Sequence, residues 1–201
     1  MQFARKVAGS WEELVDGFTV GTGDDAIQYP PTWAVGASAE QLAALGIAAI
    51  VDEPDVAPCL RLLGKTLVDV AGVPHRRWVT PPAADVRTAR RAEVAALRWD
   101  EQQTVKWRGR VALADDTTMG RIVAAVMQAQ VTQDTALVVH WKFGDSDFAD
   151  LTFADLIAYG TAIGAHLQGC FQREAELVAA IAAAPDAAAI AAIDISGGWP
   201  A

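Results

Sequence analysis

The stretch "LTFADLIAYGTAIGAHLQGCFQREAELVAAI", residues 151–181, decides the fold of the second half of the chain. It contains no proline, and its apolar residues recur at three- and four-residue intervals, so it predicts one long helix from about Thr152 to Ala183. Pro185 stops it. At about 100° per residue, Leu156, Gly160, Ile163, Leu167, Phe171, Val178 and Ile181 fall on one stripe. Cys170 lies at its edge and His166 on its flank. Glu174 points near the stripe's centre. A carboxylate there needs a partner, and the expectation is pairing with Arg87, Arg90, Arg91 or Arg98, or with a backbone amide.

Upstream, "ADVRTARRAEVAALRWDEQ" (84–102) is built from strong helix formers. "TVKWRGRVALA" (104–114) reads as a hairpin turning at Arg108–Gly109. Asp115 or Asp116 caps a helix over "TTMGRIVAAVMQAQV", with Met119, Ile122, Val123, Val126 and Met127 as its apolar stripe. "ALVVHWKFGDSDFADL" reads as two strands around Gly144–Asp145, and a short alanine-rich helix follows Pro185.

The first half has another character. "QFARKVAG" and "WEELVDGFTV" read as strands around Gly9–Ser10, and Pro30–Pro31 ends that run. Ser38 starts a short helix with Gln41 three residues on, as in a capping box, and Gly46 closes it. "IAAIV" predicts a strand, "DEPDVAP" a linker, and "LRLLGKTLVDVAG" with "VPHRRWVTPP" a further strand pair turning near Gly72. The fold expected is α+β: a small β-rich module with one short helix over 1–82, then a module of three helices with a small antiparallel sheet over 83–201.

Composition excludes several functions. The chain is 52% hydrophobic and 20% charged, with a net charge of -9. It can bury a core, and its acidity argues against nucleic acid as a partner. "MQFARKVAGSWEELVDG" lacks the apolar run of a signal peptide, and no span supplies the ~18 apolar residues of a membrane helix. The expectation is synthesis and retention in a cytoplasm. Cys59 and Cys170 match no CxxC spacing and read as buried thiols.

The candidate chemistry is thin. "GTGDDA" (21–26) matches a dinucleotide fingerprint, but Asp24 and Asp25 would face the phosphates and Pro30–Pro31 leaves no room for the helix. It reads as a glycine turn. "DSDFAD" (145–150) lacks the glycine and distal glutamate of a calcium loop and reads as a hairpin tip. His166 and Cys170, one turn apart, lack a third metal ligand nearby. His75, in the basic run "HRRW", reads as part of a half-exposed strand end. Trp199, in "GGWP", is expected either to fold back on its own domain or to dock on a neighbouring subunit. No catalytic, cofactor or metal residues are assigned. Glu174, Phe171, Leu167 and Trp199 are the candidate structural or interface residues.

Several pieces carry a resemblance: "RRAEVAALRW", "HWKF", the long helix quoted above and the ending "AAIDISGGWP". In this order, over about residues 86–200, they resemble a family of uncharacterised domains encoded in the tail and tail-fibre gene clusters of tailed phages. "FAR", "QYPPTW" and "AEQLAALGI" look like the leader often joined to that domain. The hairpin "TVKWRGRVALADD" departs from the family's more usual neutral glycine turn. The family has no established catalytic residues. The resemblance implies a virion structural protein of the distal tail, at the tip, baseplate or fibre base. Its partners would be other tail proteins (hub, baseplate or fibre) and copies of itself, as a trimer or hexamer. The other role it implies is a cytoplasmic fibre-assembly chaperone absent from the mature particle.

Overall fold

The computed structural model describes residues 2–30, 32–143 and 147–200, and the chain divides into two compact units, Met1–Pro82 and Ala83–Ala201. The architecture is mixed, with small sheets in the first unit and helices dominating the second.

In the first unit, β1 (Phe3–Val7) pairs antiparallel with β2 (Ser10–Glu13) across a tight Ala8–Gly9 turn. β3 (Phe18–Val20) and β4 (Ile27–Tyr29) form a separate hairpin. After α1 (Trp33–Gly36) comes α2 (Ala39–Ala44), held by a full capping box between Ser38 and Gln41. β5 (Ile47–Ala49) returns to pair with β1, which no local pattern announces. β6 (Val51–Asp52), β7 (Lys65–Val70) and β8 (Val73–Trp78) form a second three-stranded sheet, with β8 central and parallel to β6.

Phe3, Phe18, Ala34 and Ile47 make the core of this unit, with Tyr29 stacked on Phe18 at 4.9 Å. Asp69 ties the two three-stranded sheets together: its carboxylate accepts from Lys6, Trp11 and the Gly72 amide. The segment 52–58 is less a free linker than expected. The Glu53 carboxylate accepts from the Trp78 amide, and the Pro54 carbonyl from the Trp78 indole.

The second unit starts after Pro81–Pro82 with α3 (Ala83–Glu101). β9 (Thr104–Trp107) and β10 (Arg110–Leu113) form a hairpin whose turn residues, Arg108 and Gly109, both have positive φ. α4 (Asp116–Thr132) is capped by Asp115, which accepts from the Thr118 amide. β11 (Val138–Lys142) and β12 (Phe148–Thr152) pair as a second hairpin. The one sheet expected is therefore two separate two-stranded ribbons. The turn at Gly144–Asp145 lies outside the described residues. α5 (Phe153–Ala183) runs for 31 residues from a Thr152–Asp155 capping box, and Ala184 is extended, as the residue before Pro185 must be. α6 (Ala187–Ala191) is short.

Both hairpins turn alternate residues inward. Val105, Trp107, Ala112, Trp141 and Leu151 meet Ile122 of α4 and Leu156, Tyr159 and Ile163 of α5 in one core. Each large side chain buried there contributes roughly 1.5–3 kcal/mol. α4 and α5 cross closely at Gly160, where a Cβ would stand 3.2 Å from Ile122 Cγ2.

The phase of α5 differs from the reading of the sequence. Its buried residues are Leu156, Tyr159, Ile163, His166, Cys170, Leu177 and Ile181. His166 and Cys170 face inward, while Phe171 is 49% exposed. The cause is composition. Alanine and glycine occupy both sides of α5, so hydrophobicity fixes the face only weakly, and fit against α3 and the hairpins sets it. The α4 stripe is also only half covered: Ile122 is buried, while Val123 and Met127 are exposed.

Candidate functional site

The side chains with chemical potential gather where α3, α5 and the C-terminal segment meet. α3 places Arg87, Arg90, Arg98 and Glu101 there by helical spacing, and α5 places His166, Cys170, Arg173 and Glu174 opposite them.

His166 Nε2 lies 3.0 Å from the Glu101 carbonyl at the end of α3. A carbonyl only accepts, so Nε2 bears a hydrogen and donates it there. Nδ1 is buried with no partner among the described residues. Cys170 Sγ sits 3.7 Å from the same Nε2. Burial first, and then the Glu101 charge, push the Cys170 thiol above its ordinary pKa. It therefore stays protonated, a poor nucleophile and a poor metal ligand. Among the described residues, no group of three or more His, Cys, Asp or Glu side chains is placed to hold a metal. The pocket beside His166 is small, about 150 Å³, with Glu101, Thr104, Lys106 and Pro200 among its lining residues. Small-molecule sites occupy roughly 300–1,000 Å³.

Glu174 is partnered by Arg98, with Oε2 3.0 Å from Nε. The alignment is too poor for a hydrogen bond, and Nε counts as unpaired in that sense. The contact is a charge attraction between half-buried groups. The same guanidinium lies 5.0 Å from the Phe171 ring, so two of the candidate residues share one cation. Leu167 packs on the edge of the core. Trp199 is half-buried and donates from Nε1 to the Ile195 carbonyl at 2.9 Å, within its own segment.

Sequence reasoning missed the arginines that hold the C-terminal segment. Arg87 donates to Ala184 O, Arg90 to Ile193 O, and Arg173 to Gly197 O. Gly198 has φ +83°, and a Cβ there would stand 2.9 Å from Arg173 Nε. The available signal was four arginines, Arg87, Arg90, Arg91 and Arg98, in one alanine-rich helix.

The remaining sequence candidates are dispersed. "GTGDDA" forms a single 3-10 turn, Gly23–Asp25, between β3 and β4, with no following helix to receive a pyrophosphate. In "DSDFAD", Asp147 pairs with Arg110 and Asp150 with His140, and Asp145 lies outside the described residues. In "HRRW", Arg76 pairs with Glu13 and Asp52, and Trp78 lies under Lys65 at 4.9 Å.

Two larger hollows flank α4. One, about 410 Å³, has Arg121, His140, Trp141 and Lys142 in its walls. The other, about 340 Å³, lies between α4 and α5 and is almost wholly apolar.

The sequence pattern of a family described as "Domain of unknown function (DUF4376)" matches residues 85–196, more than half of the chain and all within the second unit. No curated protein and no solved structure matches the chain.

Proposed function

The chain belongs to the DUF4376 family, and we propose that it is a structural protein of the bacteriophage distal tail, an adaptor or fibre-like component that acts by packing rather than by catalysis. It is made in the host cytoplasm and carried in the virion tail. Its partners are copies of itself and other tail proteins.

One observation carries the packing half of this reading. The side chains of α5 best suited to chemistry are engaged in holding helices together: His166 on the Glu101 carbonyl, Cys170 as a buried thiol, and Glu174 on Arg98. Catalytic acids, bases and nucleophiles need access to a substrate and a tuned pKa. The tail half rests on the ordered resemblance of "RRAEVAALRW", "HWKF", the long helix and "AAIDISGGWP" to domains of tail gene clusters.

Quantitative mass spectrometry of purified phage particles tests it, with the copy number taken against a major tail protein. Stoichiometric presence, near three, six or twelve copies, is the expected result. Abundance in lysates with absence from clean particles would replace the tail component with an assembly chaperone.

A further inference from the structure

Strand β11 is paired on one side only, with β12. Two hydrogen bonds at the ends of the ribbon fix which of its backbone groups reach β12. The Phe143 amide donates to the Asp147 carbonyl, and the Phe153 amide to the Leu137 carbonyl. Opposed residues in an antiparallel ribbon alternate between bonded and unbonded pairs. Val139 opposite Leu151 and Trp141 opposite Ala149 are therefore the bonded pairs. Val138, His140 and Lys142 turn their amides and carbonyls the other way, to the open edge. Among the described residues, the Val138 and His140 backbone groups on that edge meet no backbone partner.

This edge borders the hollow of about 410 Å³ beside α4. Val139, His140, Trp141 and Lys142, four successive residues of the strand, form one wall, and Arg121, Ala124 and Ala125 of α4 form the other. The chemistry changes with depth. Ala125, Val139 and Trp141 pack with the core and make the floor apolar. Arg121, His140 and Lys142 are exposed and make the rim basic. That rim stands on a chain of net charge -9.

We propose that this groove takes up an extended segment of another protein as an added strand, its apolar side chains turned to the hollow and its acidic ones to the rim. A peptide main chain supplies the donors and acceptors that an open strand edge lacks. Alternate side chains of an added strand point to opposite faces. One set meets Val139 and Trp141. The other lies beside His140 and Lys142, whose neighbours on the far side are Asp150 and Phe148 of β12. Opposite charges side by side on neighbouring strands attract, and like charges repel. A second copy of β11 would bring one basic rim against another. Charge on an open edge of this kind turns away copies of itself and admits an acidic strand.

Strand addition deepens the assembly reading by naming a surface and a partner, and it rests on that reading only in taking the partner to be a protein. Calorimetric titration of the full chain with an end-blocked peptide of alternating valine and glutamate tests it, beside the same peptide with lysine for glutamate. The acidic peptide is expected to bind with a Kd below about 1 mM and the basic one at least about tenfold more weakly. Methylating alternate backbone nitrogens of the acidic peptide keeps its charge and removes its donors to the edge. In one of the two possible phases this is expected to abolish binding. Arg121→Glu is expected to weaken binding at least about tenfold, with an unchanged circular dichroism spectrum. No binding of the acidic peptide up to about 1 mM overturns the strand addition, while the copy number in particles still decides the assembly reading. Undiminished binding in both methylated phases overturns main-chain pairing. Equal binding of the basic peptide overturns the acidic class, and unchanged affinity in Arg121→Glu overturns the location.

Discussion

The guanidinium of Arg90 donates to the carbonyl of Ile193 across 2.5 Å, joining α3 to a residue 103 positions later in the chain. Arg90 is 7% exposed and also grips the Glu93 carboxylate at 2.5 Å. It thus fixes the segment after α6 to the first helix of its unit.

Removing that fork leaves a partly buried Glu93 and the Ile193 carbonyl unpaired. Arg90→Ala is expected to destabilise the second unit by about 3 kcal/mol. Arg90→Lys recovers only part of this, since a single ammonium cannot reproduce the planar fork. Urea denaturation of both variants checks the order.

Tyr159 is fully buried between Trp107, Trp141 and Phe143, and its hydroxyl donates to the Leu113 carbonyl at 2.5 Å. Burial, helped by the charge of Asp115, pushes its pKa up to about 12. The folded value is raised, so the stabilisation is complete below the ordinary tyrosine pKa of about 10 and is lost as pH rises from there through the folded value. With Tyr29→Phe as background, the remaining tyrosine is expected to ionise near pH 12, read at the phenolate absorbance. Ionisation near pH 10 in the folded protein would contradict this burial. Tyr159→Phe, which strands the Leu113 carbonyl, is expected to cost about 1–2 kcal/mol.

The Arg98–Glu174 contact joins groups whose side chains are 18% and 25% exposed, without an aligned hydrogen bond. A double-mutant cycle with Arg98→Met and Glu174→Gln is expected to give a coupling of about 1 kcal/mol, diminished by salt. A coupling of zero would reduce the pair to a coincidence of packing.

Three carboxylates of the second unit are held below the ordinary range. The Thr118 amide lowers Asp115, the Thr152 amide lowers Asp155, and the Ser196 hydroxyl lowers Asp194. Their folded values are depressed, so their contribution is complete above about pH 4 and is lost as pH falls through the folded values. The urea midpoint is expected to fall below about pH 4 as these carboxylates titrate. Asp115→Ala is expected to cost about 1 kcal/mol at pH 7 and to lessen the acid dependence.

What the sequence made legible were the local devices. The Ser38 capping box, the Asp115 cap, the Thr152 start, the Arg108–Gly109 turn and the stop at Pro185 are each set by residues within a few positions of one another. The pairing of β1 with β5 and of β6 with β8 was not legible, because it depends on which distant strands share a core. Nor was the face of α5. A helix with alanine or glycine on every side packs by shape, and shape turned His166 in and Phe171 out. The Glu174 partner lay within the set of arginines named beforehand, since a carboxylate that close to a core has few ways to be satisfied.

The Arg90–Ile193 bond also sets a clock. A ribosome adds about 5–20 residues per second, so Arg90 emerges roughly 5–20 seconds before the carbonyl that satisfies it. During that interval α3 carries a buried-type arginine and an apolar flank whose partners have not yet been made. The second unit becomes a finished body only when that strap arrives, near the end of synthesis.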